Sequence, residues 1–180
     1  MEDKMKILMV TGLDIAERDS LTDIAVKRCR LEINYIKFSD LLSEKNFRNL
    51  KNTEDLNKLK TLLKKQMETV LTKHIKKNKH IVVNGYFTIK TPYGIFPLLS
   101  ESFFHIFKPN GIIILETDPE NELIDQSTKK QIKEHQDINR DQAELFSTYV
   151  GCPFKIIKIN KNNIRETLNK IIETFRMILR

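Results

Sequence analysis

A chain of 180 residues, 40% hydrophobic and 31% charged, has ordinary globular composition and enough length to bury a full core. Its two cysteines, Cys29 and Cys152, exclude a disulfide framework and lack metal-ligand spacing, which predicts two ordinary thiols in a reducing cytoplasm. A net charge of +7 admits an anionic partner, nucleotide or nucleic acid, but nucleic acid is disfavoured because the excess is lysine within a generally Asn- and Ile-rich composition.

The chain opens on Met1-Glu2-Asp3-Lys4, which lacks signal-peptide character, and no later run nears the ~20 apolar residues of a membrane span. We therefore expect no membrane association. A short apolar run, Ile7–Val10, then reaches a turn at Gly12 and a helix-like Ser20–Arg30. Strand, turn and helix are the frame of a phosphate-binding loop, whose pattern is G-x-x-x-x-G-K-[ST]. Gly12 fills the first glycine, while the second falls on Glu17, the lysine on Arg18 and the hydroxyl on Asp19. The frame is kept and most of its chemistry is replaced.

Four further apolar runs follow: Ile33–Phe38, His80–Asn84, Gly111–Glu116 and Phe154–Ile159. Near-continuous apolar character, rather than alternation, predicts parallel strands covered on both faces. Helical patterns separate them, giving β-α-β-α-β-α-β-α-β. Between the second and third runs, Leu56, Leu59, Leu63, Met67 and Leu71 recur at helical spacing over Asn52–Lys77. Asn52 or Thr53 is the expected cap, and the lysines of this helix are expected on a solvated face. Lys76 to His80 reads as a basic turn.

After the third run, Gly85 to Pro97 contains two prolines and two glycines and reads as a shaped loop. It leaves the carboxyl end of a central strand, where open α/β sheets bind ligands. Leu98–Phe107 reads as a short helix. Asp118 and Pro119 begin a polar segment, Ile132–Val150 reads as a helix ended by Gly151, and Asn163 is expected to cap the last helix, Ile164–Leu179. No internal repeat or linker interrupts the chain, so one domain over 1–180 is expected.

Three blocks resemble the archaeal type of adenylate kinase. They are Val10-Thr11-Gly12 before a helix, then Thr88-Ile89-Lys90-Thr91-Pro92 with Gly94 and Pro97, then Glu134-His135-Gln136 with Asn139-Arg140 and the turn Asn160-Lys161-Asn162-Asn163. The resemblance implies a P-loop NTPase-type three-layer α/β sandwich with a five-stranded parallel sheet in the order 2-3-1-4-5, often trimeric. It implies an NMP-binding-like segment near 39–77, a shortened lid-like segment near 117–131, and phosphoryl transfer between ATP and AMP with Mg²⁺. Carried onto this chain, it assigns Arg18 and Arg140 to catalysis and Asp19 to Mg²⁺. Gly12, Arg18, Asp19, Ser20, Thr88, Lys90, Thr91, Asn160 and Asn162 would bind nucleotide.

The departures predict weakened chemistry. Glycine is needed where backbone N–H groups converge on phosphate at positive φ, and a side chain there costs ~1–2 kcal/mol. Glu17 also brings a negative charge toward the phosphate position, and Arg18 does not reproduce a compact ammonium. Asn84 ends the third strand where the resembled pattern has aspartate. No arginine occurs between Arg48 and Arg140, so the lid-like segment has none, and Lys129 and Lys130 offer point charges rather than bidentate clamps. The sequence therefore predicts an adenylate kinase-like protein with weak or lost activity, binding a nucleotide or a small anion near Arg18 and Arg140. The alternative is a non-catalytic nucleotide- or anion-binding protein, or a scaffold, on the same fold.

Overall fold

In the computed structural model, which describes residues 5–13, 17–48, 50–75 and 79–180, the five apolar runs lie side by side in one parallel sheet. They are β1 (Ile7–Gly12), β2 (Ile33–Lys37), β3 (His80–Asn84), β6 (Gly111–Glu116) and β7 (Phe154–Lys158). The order is β2-β3-β1-β6-β7. Counting only these five, this is the expected 2-3-1-4-5. β1 is central, with Val10 opposite Asn84 of β3 on one side and Ile113 of β6 on the other.

Both faces of the inner strands are covered, which is why they read as continuous apolar runs. Met9, Ile81, Val83, Ile112 and Ile114 face α4 (Thr53–Ile75), α5 (Glu101–Ile106) and α6 (Gln126–Val150). Leu8, Val10, Val82, Ile113 and Leu115 face α1 (Arg18–Arg28) and α7 (Ile164–Leu179). Burying each such side chain contributes about 1.5–3 kcal/mol, so these contacts hold the helices to both faces of the sheet.

Asn52 caps α4 by accepting from the Asp55 N–H at 2.9 Å, and Asn163 caps α7 by accepting from the Glu166 N–H at 3.2 Å. Gly151, at φ 75°, ends α6 in the left-handed conformation that glycine takes without a Cβ clash. The expected basic turn falls largely on residues 76–78, outside the described residues.

Three boundaries differ from the sequence reading. First, Gly85 to Pro97 is not a loop throughout. It contains an antiparallel hairpin, β4 (Thr88–Thr91) and β5 (Gly94–Pro97), in the register Thr88↔Pro97 to Thr91↔Gly94. Pro92 sits in the turn and Pro97 at a strand end, positions where the missing N–H costs little. Second, α6 begins at Gln126 rather than Ile132, because Asp125 caps it by accepting from the Thr128 N–H at 2.9 Å. Its first turns are polar and exposed, so they carry no apolar periodicity. Third, α1 begins at Arg18 rather than Ser20, and two short helices, α2 (Phe38–Leu41) and α3 (Glu44–Arg48), precede α4.

Candidate functional site

The carboxyl ends of β1 and β3 meet the amino end of α1, and their side chains form one connected cluster. Gly12 closes β1 at φ 147°, and a Cβ there would stand 2.3 Å from the Leu115 carbonyl oxygen. Only glycine allows β1 to approach β6 so closely at this point. The middle of the phosphate-loop frame, residues 14–16, lies outside the described residues. Glu17 follows in the left-handed region at φ 49°, ψ 22°. The backbone thus adopts, at the position of the pattern's second glycine, a conformation suited to glycine while carrying a glutamate.

Arg18, the first residue of α1, is 1% exposed. Its Nη1 donates to the Gly12 carbonyl at 2.7 Å and to the Gly85 carbonyl at 3.3 Å. Its Nε and Nη2 donate to Asp19 Oδ1 at 3.0 and 2.8 Å, and its guanidinium lies 4.3 Å from the centre of the Tyr86 ring. Arg18 therefore ties the ends of β1 and β3 together from inside. Asp19 Oδ1 takes a third donor, Asn84 Nδ2, at 2.8 Å, and the same Asn84 amide donates to the Tyr35 hydroxyl at 3.0 Å. Partial burial pushes the Asp19 pKa up, but the Arg18 charge and the hydrogen bonds from Arg18 and Asn84 outweigh it and hold the carboxyl below its ordinary value. Burial, with the Asp19 and Asp23 charges, pushes Tyr35 up to about 12.

This cluster bears on the Mg²⁺ assignment. A carboxylate oxygen that ligates Mg²⁺ must offer a lone pair to the ion, whereas Asp19 Oδ1 already accepts three N–H groups and lies beside a guanidinium. No group of three or more His, Cys, Asp or Glu able to hold a metal occurs among the described residues. Asp19 Oδ1 is thus taken by the chain's own donors, and Oδ2, which accepts no hydrogen bond among the described residues, is the oxygen left to face an ion.

Beside the cluster a cleft of about 390 Å³ opens between the end of β1, α3, the hairpin and α6. Its apolar wall is Leu13, Phe47, Tyr86, Ile89 and Ile132, and its polar wall is Thr88, Lys90, Thr128, Gln131 and His135, with Gly12 at its base. Phe47 and Tyr86 meet edge to face at 6.2 Å. The hairpin is fastened to α6 through Thr88 Oγ1, which lies 3.0 Å from His135 Nε2 and donates to Asn139 Oδ1 at 3.3 Å. Lys90 Nζ donates to Gln131 Oε1 at 2.6 Å.

The residues proposed from sequence are distributed between these regions. Gly12, Thr88 and Lys90 line the cleft, but Arg18 and Arg140 do not. Arg140 instead makes a bidentate pair with Glu116 at the end of β6, Nε to Oε1 at 2.9 Å and Nη2 to Oε2 at 2.8 Å, and donates to Asp137 at 3.2 Å. Those Glu116 hydrogen bonds raise its pKa above the ordinary value. Ser20 is exposed on α1, and Thr91 Oγ1 donates to the Gly94 carbonyl at the hairpin tip. Asn160 Oδ1 accepts from the Asn162 N–H at 3.1 Å, which holds the turn before α7. Within residues 117–131, Lys129 reaches Glu120, and Glu122 pairs with Lys161 at 2.5 Å. Tyr86, Phe47, Thr128, Gln131 and Glu116 were not singled out from sequence. The Glu134-His135-Gln136 block pointed to two of their neighbours, but apolar wall residues carry no sequence signal distinct from core.

A parallel sheet in this order, with helices on both faces and a strand–turn–helix at its centre, defines a P-loop kinase-type protein. The AAA domain family matches residues 21–144, more than half of the chain. An adenylate kinase from Pyrococcus horikoshii is 27% identical, the alignment covering 93% of each chain. An adenylate kinase from Methanopyrus kandleri is 23% identical over 96% of this chain and 98% of that one. Among solved structures, thymidylate kinase from Ehrlichia chaffeensis superposes with a TM-score of 0.59 at 11% identity, over 98% of this chain and all of that one, a likeness of fold. The chain belongs to the AAA domain family, among its adenylate kinase-like P-loop kinase members. No helix among the described residues is long and apolar enough to cross a membrane.

Proposed function

We propose that the protein is a single-domain, cytoplasmic adenylate kinase-like nucleotide binder that takes the monophosphate-side ligand in the Thr88–His135 cleft and converts ATP plus AMP to ADP weakly or not at all. The NMP-binding-like segment is 39–77 and the lid-like segment 117–131. The observation that carries this reading is the Arg18 guanidinium, engaged by the Gly12 and Gly85 carbonyls and by Asp19. To meet a phosphate it would have to leave these partners and strand two buried carbonyls, each costing about 1–3 kcal/mol. Losing one preorganised donor to a developing charge removes about 2.7–4 kcal/mol of transition-state stabilisation. Glu17 and the arginine-free lid-like segment act in the same direction.

Calorimetric titration with ATP, ADP and AMP, with and without Mg²⁺, tests the reading beside a coupled assay of ADP formation. We expect AMP binding, millimolar or weaker ATP affinity, and no Mg²⁺ effect. Turnover on the order of 1–10³ s⁻¹ would reject the loss of catalysis. If no nucleotide binds, the scaffold reading takes its place, and light scattering for a homo-trimer becomes the first measurement.

A further inference from the structure

The edge of the sheet opposite the cleft has a different character. The amino ends of the parallel strands and the carboxyl ends of α1 and α7 meet there, a strand length of roughly 17–20 Å from the hairpin. In a chain whose cations are mostly lysine, four of the eight arginines gather at this edge. Arg28 is the last residue of α1 and Arg30 lies just beyond it, while Arg176 is in the last turn of α7 and Arg180 is its C-cap. The two helix ends are joined by Arg176 Nε, which donates at 3.2 Å to the carbonyl of Cys29, the residue between Arg28 and Arg30. Lys108 is exposed in the turn before β6, whose first residue, Gly111, abuts Ile178 of α7.

On these same helices other cations are neutralised, Lys27 by Asp23 and Lys170 by Glu166. None of the four arginines has an ion pair among the described residues. The acids nearest in the chain are Glu32, which pairs with Lys79, and Glu173, exposed one turn before Arg176. Cations in a last helical turn offset the negative end of the helix dipole, which accounts for Arg28 and Arg176. It does not account for Arg30, which is exposed and held in the left-handed region at φ 59°. Glycine or asparagine takes that conformation at less cost, and strain of this kind is tolerated where the side chain has a use. Guanidinium groups match phosphate oxygens two at a time. A lipid surface would instead need apolar side chains to insert, and Met177 is the one large exposed apolar residue at these helix ends.

We propose that this amino edge binds the phosphodiester backbone of a nucleic acid without regard to base sequence. The inference is independent of the nucleotide-binding reading of the cleft. It is tested by fluorescence anisotropy of the full chain with labelled single-stranded RNA and DNA of one mixed sequence. Four phosphate contacts predict a slope of log affinity against log salt of about −3 between about 50 and 200 mM. RNA and DNA should bind within about three-fold of each other, since the shared phosphates carry the affinity. Arg28→Gln together with Arg30→Gln should weaken binding at low salt at least about ten-fold and flatten the slope by about 1.4. Lys65→Gln together with Lys133→Gln removes the same charge from exposed positions on α4 and α6, and should weaken binding less than about two-fold. If the arginine pair unfolds the chain, Lys108→Gln, in an exposed turn, should still flatten the slope by about 0.7. No binding at low salt overturns the inference, as does equal weakening by the α4 and α6 pair, which would assign binding to net charge. RNA bound more than about ten-fold tighter than DNA overturns it too, because contacts other than phosphate would then carry it. Sedimentation with phosphatidylserine vesicles in place of binding to either oligonucleotide would give this edge to a membrane surface and likewise overturn it.

Discussion

The end of β1 and the hairpin cleft both sit at the carboxyl edge of the same sheet, yet one is filled and the other is open. At the first, Arg18, Asp19, Asn84 and Tyr35 are hydrogen-bonded to one another, with Asn84 Oδ1 left buried without a partner among the described residues. At the second, Thr88 and Lys90 are bonded across to α6, but the aromatic and polar walls stand apart around a cleft of about 390 Å³. The difference is one of charge. A buried guanidinium must find acceptors, and in this chain the nearest are its own carbonyls and the next residue's carboxylate. The cleft is instead spanned by bonds between the hairpin and α6, from Thr88 to His135 and Asn139 and from Lys90 to Gln131.

The largest effect should come from the backbone of the filled region. Gly12→Ala places a Cβ 2.3 Å from the Leu115 carbonyl at φ 147°. Strain and overpacking together should cost at least about 3 kcal/mol, read by urea unfolding. A loss under half of that would mean that β1 and β6 can separate, and that the filled region is less rigid than the cleft.

Arg18→Ala should cost about 2 kcal/mol, below the ~3–5 kcal/mol of a fully buried pair because Asp19 is partly exposed. A second variant of this pair, Asp19→Asn, tests pH dependence. The Asp19 pKa is depressed in the folded state, so its contribution is present above the ordinary value near 3.8 and is lost as pH falls through the lower folded value. Acid unfolding of the wild type below about pH 4 should therefore be shared less by Asp19→Asn. Equal acid sensitivity in the two would detach Asp19 from the network.

In the open region the corresponding change is smaller. Thr88→Val removes the hydroxyl that meets His135 and Asn139. It leaves the buried Asn139 oxygen short of a donor, at about 1–2 kcal/mol. Loss of cleft ligand binding with the fold intact is the expected result. Unfolding instead would make the hairpin a structural brace.

The smallest effect belongs to Glu17→Gly. Relief of the left-handed conformation, less the greater freedom of the unfolded chain, should stabilise the protein by roughly 0.5 kcal/mol. Inorganic phosphate should bind more tightly at low ionic strength once this charge is gone. No change in phosphate affinity would show that Arg18, and not Glu17, sets the character of the filled region.

Much of the architecture follows from the sequence alone. Runs such as Ile112-Ile113-Ile114 are covered on both faces inside a sheet flanked by helices, Gly12 and Gly151 mark conformations that few residues tolerate, and Asn163 marks a helix cap. The hairpin was hidden because its prolines occupy a turn and a strand end, and the start of α6 because polar exposed turns have no periodicity. The site was legible only as a set of positions. Whether Arg18 reaches outward to a ligand or inward to Gly85 depends on partners 67 residues away, and Arg140 finds Glu116 at a separation of 24. Residue type determines that such a side chain must be neutralised and hydrogen-bonded. The tertiary structure alone decides which acceptor is near enough to do it, because the direction of a long flexible side chain is set by the electrostatics of the place it is carried to.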